Sequence, residues 1–340
     1  MASIRDVAKA AGVSIATVSR ILNQDESYKT TETTKRKVWN AVNELNYIQH
    51  NSSKNISKKY KKADSSSIKI GCILSVTKEK YTDPYFMSIL SGIDATLNEN
   101  GYNLTLIRTY KELEDERILY DTLNSSLTGL IIMESLDSKI YEIIKEKVPF
   151  IVGIDTEYPT IDNICYDRYQ SAEQAMNFLI EKGHKRIAFL GSATGPSNVF
   201  SKEERYKGYI DSLVDAGIEV DDTLIKDCQW SRSICFEKTK ELLNHPSPPT
   251  AIFIASDTMA TIALTAIYDS CLRVPDDIAI ISISNIEMSR YTSPPLTTID
   301  VPKQEIGRLA ATTLISRING DTSLPKKILL PTSIVKRDSV

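Results

Sequence analysis

The chain has 340 residues, of which 41% are apolar and 25% are charged, a balance typical of globular proteins. At about 100–200 residues per domain, this length predicts two or three domains with sizeable cores. No apolar segment follows Met1, and no uncharged apolar run reaches the roughly 18 residues of a membrane span. We therefore expect a cytoplasmic protein with no membrane partner.

The cysteines and histidines do not form a pattern typical of a metal site. The chain has five cysteines and three histidines, with no CxxC pair and no histidine close to a cysteine. In a reducing compartment, cysteines spaced this widely behave as small buried apolar residues. We therefore predict no metal site and no disulfide framework.

Charge is distributed unevenly along the chain. Residues 1–62 contain twelve lysines and arginines against five acidic residues, a formal charge of +7, while the remainder carries −10. A basic segment followed by an acidic body is typical of a phosphate-binding module attached to another domain. Nucleic acid is therefore the first partner to consider.

The first 48 residues contain three helical patterns, near residues 4–11, near 15–23 and from Thr31 to about Leu45. A side chain able to cap a helix stands at the start of each: Ser3 with Asp6, Ser14, and Thr31. Ala8 and Ala11 are small where a helix core usually has bulk, and Gly12 tolerates the positive φ of a tight turn. These features predict a helix-turn-helix unit.

The second helix of such a unit leaves its outer face free for the major groove. Ile15 and Ala16 suit contact with thymine methyl groups, and Arg20 suits guanine or phosphate. The candidate DNA-binding residues of this helix are Ser14, Ile15, Ala16, Thr17, Ser19 and Arg20. A small three-helix domain that does not bind DNA is the alternative interpretation, and the charge of the segment disfavours it.

Residues 49–67 are rich in serine and lysine and have almost no apolar content, which is typical of a linker. After them, short apolar runs alternate with helical stretches. The apolar runs are IKIGCIL, YNLTLI, LTGLIIM, PFIVGI, RIAFLG, TAIFIA and IAIISI. This alternation predicts an α/β fold with parallel strands, and the number of strands favours two sheets over one. Gly101 and Gly183 fit the ends of two of the intervening helices.

Two stretches near the start of the chain, SIRDVAKAAGVSIATVSRILN and TTKRKVWNAVNELNYI, form a specific pattern. With them the chain resembles the DNA-binding head of the LacI/GalR family of bacterial repressors. The stretches EKGHKRIAFLG, ERYKGY, IASDTMA, RVPDDIAIISI and SPPLTTID are similar to its body, a two-lobed fold of the periplasmic-binding-protein type with two parallel sheets. The Ile15–Ala16 pair is similar to the galactose-repressor branch.

The resemblance implies a division into three parts. These are a helix-turn-helix DNA-binding domain at 1–48, a hinge at 49–67 and an effector-binding and dimerisation domain at 68–340. Within that domain we expect an N-lobe at 68–160 and 291–325 and a C-lobe at 161–290 and 326–340. One head reads few base pairs, so we expect a homodimer on a palindromic operator, associated with the nucleoid.

The hinge departs from the family pattern. Gln49 and His50 replace the usual Pro–Asn, Ser53 replaces an alanine, and Ile56 takes the place of the leucine that wedges into the minor groove. Ile56 is still an apolar wedge, whereas serine and asparagine weaken the hinge helix.

The resemblance also implies a small-molecule effector, with a sugar as the expected class. Its site would lie between the lobes, because ligands of α/β folds bind at the carboxyl ends of parallel strands. The candidate effector-binding residues are Asp83, Tyr85, Phe86, Asp155, Arg205, Trp230, Ser256, Asp257 and Asn285. Structural alternatives exist for some of them: Asp257 as a helix cap, Tyr85 and Phe86 as core residues, and Trp230 as a residue packing between lobes.

Three other functions fit the sequence less well. An enzyme is disfavoured because the chain has no GxGxxG after a strand, no GxxxxGK[ST] and no GxSxG, so we predict no catalytic residue and no cofactor. A periplasmic receptor would have no use for the head. A regulator whose corepressor is a phosphorylated carrier protein stays open as an alternative to direct sugar binding, and a galactoside is only weakly favoured among sugars.

Overall fold

The computed structural model describes residues 3–22, 28, 30–45, 68–75, 82–192 and 203–340. The predicted hinge, with Gln49, His50, Ser53 and Ile56, lies outside the described residues. Within them, no helix is both long enough and apolar enough to cross a membrane.

The head consists of three helices, as predicted: α1 (Ile4–Ala11), α2 (Ile15–Leu22) and α3 (Glu32–Glu44). All three predicted caps are confirmed by hydrogen bonds between residues three apart in sequence. These run from the backbone N–H of Asp6 to Ser3, of Thr17 to Ser14, and of Thr34 to Thr31. Each bond satisfies a backbone donor that the first turn of a helix leaves without a partner.

The turn between α1 and α2 has the geometry that its small residues predict. Gly12 adopts φ 65° and ends α1 in the left-handed conformation. Ala8 and Ala11 are buried beside Val7 and Val18 in the small core of the head. Larger side chains at the two alanines would push the helices apart.

The body contains two six-stranded sheets. The first has the order β11-β5-β4-β3-β1-β2 and is parallel throughout. Its strands are β1 (Ile70–Leu74), β2 (Leu104–Thr109), β3 (Gly129–Met133), β4 (Phe150–Ile154), β5 (Asp162–Tyr166) and β11 (Lys327–Leu330).

The second sheet has the order β12-β10-β9-β8-β6-β7 and is parallel except for β12, which pairs antiparallel with β10. Its strands are β6 (Ile187–Gly191), β7 (Ile225–Asp227), β8 (Ala251–Ile254), β9 (Ala279–Ser284), β10 (Thr297–Asp300) and β12 (Ser333–Val335). All seven apolar runs singled out in the sequence form strands.

Helices cover the sheets. They are α4 (Pro84–Glu99), α5 (Tyr110–Leu113), α6 (Glu116–Asn124), α7 (Ser138–Lys147), α8 (Arg168–Glu181), α9 (Glu204–Asp215), α10 (Arg232–Leu243), α11 (Asp257–Tyr268) and α12 (Lys303–Ile318), with 3₁₀ turns at Asp222–Leu224 and Glu287–Arg290. Gly101 and Gly183 follow α4 and α8 with φ 77° and 92°, as expected of residues that end helices.

The predicted lobe boundaries need correction at three places. Strand β5 pairs with β4 and β11 pairs with β5, so both belong to the first lobe and not to the C-lobe. Strand β10 pairs with β9, so it belongs to the second lobe and not to the N-lobe. The chain therefore crosses between lobes after β5, after β10 and after β11, because hydrogen-bonded pairing, which sequence spacing does not reveal, decides which sheet a strand joins.

Helix α12 returns to the first lobe and packs against α4 through two glycines. A Cβ at Gly307 would collide with the carbonyl oxygen of Ile89, and one at Gly92 would collide with that of Gln304. The two backbones approach this closely only because neither glycine has a side chain at the crossing.

We predict that Gly307→Ala lowers the free energy of unfolding by about 1–3 kcal/mol, because the added methyl group forces α12 away from α4. Urea denaturation would measure the change. Thr312→Ala, at an exposed position of the same helix, is the matched control and should have little effect. Equal stability of the two variants would contradict the close approach.

Candidate functional site

The outer face of α2 has the composition of a DNA-reading surface. Ile15 is 46% exposed, and Ala16 and Arg20 are also exposed. The Thr17 hydroxyl lies 3.2 Å from the hydroxyl of Tyr28, and the Arg20 guanidinium lies 5.2 Å above the ring of Tyr28. Tyr28 therefore supports both polar side chains of this face, while Ser14 caps the helix and Ser19 is half-buried.

A cleft lies between the two lobes at the carboxyl ends of their strands. Its lining consists of Asp83, Tyr85, Phe86, Glu134, Tyr166, Arg168, Arg205, Trp230, Ala255, Ser256 and Ser284. The free cavity measures about 50 Å³, well below the roughly 300–1,000 Å³ of a typical ligand pocket. The lobes are therefore close together in this structure.

Arg205 is the central cation of the second-lobe wall. Its Nε donates to Glu203 at 2.8 Å and its Nη1 donates to the carbonyl oxygen of Ala255 at 3.0 Å. The guanidinium also lies 5.2 Å from the ring centroid of Trp230. Its Nη2 is buried and has no hydrogen-bond acceptor among the described residues, which leaves one donor of the guanidinium unsatisfied at the cleft.

Arg168 joins this wall to the carboxylates of the first lobe. Its Nη2 lies 3.3 Å from the Oδ2 of Asp155; the Asp155 side chain is buried and that of Arg168 is half-buried. The Tyr85 hydroxyl also donates to Asp155, at 3.4 Å. Burial raises the pKa of Asp155, and the facing Arg168 guanidinium offsets part of that rise.

Trp230 reaches the cleft from an unusual turn. Gln229 and Trp230 both have positive φ, 49° and 51°, and only Cys228 separates them from the end of β7. The backbone N–H of Gln229 donates to Asp227 at 2.8 Å, which fixes the start of this turn. Two consecutive left-handed residues other than glycine are costly, and such strain is concentrated at functional sites.

Comparison with known proteins agrees with both halves of the molecule. Residues 3–50 match the family "Bacterial regulatory proteins, lacI family", and residues 176–340 match a "Periplasmic binding protein-like domain". A probable HTH-type transcriptional repressor ExuR of Bacillus subtilis is 32% identical over 345 residues, covering 100% of this chain and 98% of the relative. The chain belongs to the LacI family.

Other relatives of this LacI-family protein are similar along their full length. The ribose operon repressor of Escherichia coli K12 is 30% identical, with 100% of each chain covered. Among solved structures, a cellobiose complex of the transcriptional regulator CelR has a TM-score of 0.74 at 26% identity, with 100% of each chain covered. The lac repressor dimer bound to operator and the anti-inducer ONPF has a TM-score of 0.69 at 28% identity, with 99% of this chain and 98% of that chain covered. The chain is a DNA-binding transcriptional regulator of the repressor class and not an enzyme.

Three predicted effector residues of this LacI-family protein do not line the cleft: Asp155, which lies behind the lining, Asp257 and Asn285. Asp257 is fully buried, and its carboxylate accepts hydrogen bonds from Ser282, Thr298 and the backbone N–H of Ile286 at 2.6, 2.6 and 2.9 Å. The helix cap is the preceding Ser256, whose hydroxyl accepts from Met259. Asp257 therefore holds α11 against β9 and β10.

Asn285 points toward the crossing after β10. Its amide donates to Asp300 at 2.8 Å and accepts from Arg337 at 2.6 Å. The residue before it, Ser284, lines the cleft instead. Strand β9 ends at Ser284, and Asn285 beyond it adopts a left-handed φ of 48°, so the two neighbouring side chains have different surroundings.

The remaining predicted residues lie in or directly behind the cleft. Asp83 caps α4 by accepting from Tyr85 at 2.9 Å, while Tyr85 and Phe86 pack edge to face and reach both the cleft and the core. Asp155 lies behind the lining, paired with Arg168. Five lining residues are absent from the predicted set: Glu134, Tyr166, Arg168, Ala255 and Ser284. Glu134 directly follows the apolar run LTGLIIM. Because ligand sites of α/β folds lie at the carboxyl ends of strands, this position alone was enough to predict it.

We predict that Asp257→Asn lowers the free energy of unfolding by about 1–3 kcal/mol, because an amide nitrogen in place of Oδ2 leaves the Ile286 N–H without an acceptor. Thermal melting would measure the loss. Binding of an effector to the folded variant should stay within twofold of wild type. If the variant instead lost effector binding while its stability stayed unchanged, Asp257 would have to be assigned to the ligand site.

Proposed function

We propose that the protein is a homodimeric repressor of carbohydrate-utilisation genes and that a small neutral sugar in the cleft releases it from a palindromic operator. The head supplies the DNA-reading face, and two copies would provide the symmetry that a palindrome requires. The solved dimer of the lac repressor on its operator supports this arrangement.

The arrangement of charges across the cleft carries the proposal of a sugar. The first lobe contributes the carboxylates of Asp83 and Glu134, and the second contributes the guanidiniums of Arg168 and Arg205. Sugar hydroxyls donate to carboxylates and accept from guanidiniums, so one polyhydroxylated ring satisfies both walls. The indole of Trp230 offers an apolar face for the C–H side of the ring.

The neutral charge of the proposed ligand follows from the pairing already present. Arg205 is paired with Glu203, and Arg168 is paired with Asp155. Since both cations have carboxylate partners, the cleft has no excess positive charge that would favour an anionic sugar. A galactoside is one candidate, favoured only by the likeness of Ile15–Ala16 to one branch of the family.

Lobe movement couples the two sites in this proposal. A hexose does not fit into about 50 Å³, so the lobes must separate to admit it and then close on it. A ligand that favours one lobe arrangement changes the operator affinity by its differential affinity for the two arrangements. Coupling of about 1–3 kcal/mol, or roughly 5–150-fold in operator affinity, is typical of allosteric proteins.

Two arginine substitutions should separate effector response from DNA binding. Arg205→Lys keeps the charge beside Glu203 but removes the Nη2 donor, so sugar binding should weaken about 10- to 100-fold with operator affinity unchanged. Arg20→Ala should weaken operator binding about 5- to 150-fold with sugar binding unchanged. Anisotropy of labelled palindromic DNA from upstream of the gene, at one fixed salt concentration, measures both.

Arg273→Lys, an exposed arginine of the second lobe paired with Asp277, is the control and should resemble wild type in both measurements. Loss of both activities in Arg205→Lys would contradict its assignment to the effector site. If none of a panel of mono- and disaccharides releases the wild-type protein from the DNA, a sugar effector is refuted and the carrier-protein corepressor is favoured.

Tryptophan emission provides an independent test of the sugar's position. The chain has two tryptophans, Trp39 in the head and Trp230 in the cleft. A sugar stacked on Trp230 should change the emission, and the change should persist in Trp39→Phe and vanish in Trp230→Phe. A sugar-dependent change that survives Trp230→Phe would place the ligand elsewhere.

A further inference from the structure

One face of α3 borders the core of the head, and its indole, Trp39, joins the apolar cluster of that core while charged side chains flank it. Val38, Ala41 and Val42 pack inward, whereas Glu32, Lys35, Arg36 and Trp39 lie on an adjacent face at the spacing i, i+3, i+4 and i+7. We call these four residues the α3 face. A large indole among charged side chains on the surface of a small domain indicates a contact with another surface.

Helix α6 of the first lobe covers this indole. The rings of Trp39 and Tyr120 meet edge to face with centroids 4.7 Å apart and an interplanar angle of 72°. Both residues are only 6% exposed. Tyr120 belongs to the apolar cluster of the head, while its neighbour Leu119 packs in the core of the first lobe. Tyr120 therefore packs against the head and not into its own lobe.

The charges around this aromatic contact are complementary. The body contributes Asp115, Glu116 and Asp121 with one cation, Arg117, and the α3 face contributes Lys35 and Arg36 with one anion, Glu32. The contact thus joins a basic surface to an acidic one, in line with the opposite net charges of head and body.

The DNA-reading helix takes part in the same contact. Arg20 of α2 lines a cavity of about 500 Å³ together with Asp115 and Asp121 of the body. In this position the surroundings of Arg20 include the carboxylates of Asp115 and Asp121. In a complex with DNA, the same side chain would meet phosphates and base edges instead. DNA approaching the docked head would also bring its phosphates toward those two carboxylates, which repel them.

We propose that the surface of α6 around Tyr120 is a docking site for the DNA-binding head of the same chain, and that operator binding requires the head to leave it. The docked head is a low-affinity form, so the Trp39–Tyr120 contact lowers the apparent operator affinity by the fraction of heads that are docked. This inference rests on operator binding but not on the identity of the effector.

Operator affinity tests the inference directly. Tyr120→Ala in the full-length protein should tighten binding to the palindromic DNA about two- to tenfold, the range expected from losing one aromatic pair. Tyr169→Ala, a tyrosine of α8 bonded to Asp211 in the second lobe, is the matched control and should leave the affinity unchanged. Unchanged or weaker binding by Tyr120→Ala would overturn the inference.

Acrylamide quenching of tryptophan emission tests it without altering Tyr120. Adding operator DNA to the wild-type protein should increase quenching, because an undocked head exposes Trp39, and this increase should be absent in Trp39→Phe. Unchanged quenching on DNA-bound wild type would mean that the head stays docked, which overturns the inference. Failure of every variant and of wild type to bind the DNA would instead count against the proposed function.

Discussion

Three short crossings between the lobes hold the two sheets in the arrangement that forms the cleft. They bring the carboxyl ends of two parallel sheets face to face, so side chains that follow β3, β5 and β9 meet across a narrow gap. Arg168 begins α8 directly after the first crossing and binds Asp155 at the end of β4. Because this ion pair spans the change of lobe, relative movement of the lobes alters its geometry.

Buried ion pairs make the cleft polar and rigid at the same time. Arg205 and Glu203 are both nearly inaccessible and bonded at 2.8 Å, and removal of either partner would leave a buried charge uncompensated, typically at a cost of about 3–5 kcal/mol. Such pairs hold donors and acceptors at fixed positions before a ligand arrives, which reduces the entropy lost on binding. The turn with two left-handed residues, Gln229 and Trp230, fixes the backbone that carries the indole in the cleft lining.

The head and the body are connected by more than the linker. The reading face depends on bonds inside the head, where Tyr28 supports Thr17 and Arg20. The opposite side of the head contacts the body, where Trp39 packs against Tyr120 and both side chains are buried. A regulator built in this way has two means of controlling its heads, the spacing set by the lobes and the fraction of heads that are free.

The sequence by itself determined the features that local bonds decide. Ser3, Ser14 and Thr31 cap helices through residues three positions away, and Gly12 turns the chain because of its own missing side chain, so short segments sufficed to predict them. Tertiary structure alone decided that β5 joins the first sheet, that Asp257 is buried among Ser282 and Thr298, and that Arg168 lies in the cleft. These outcomes depend on partners distant in sequence, and hydrophobic periodicity contains no information about which distant residues meet.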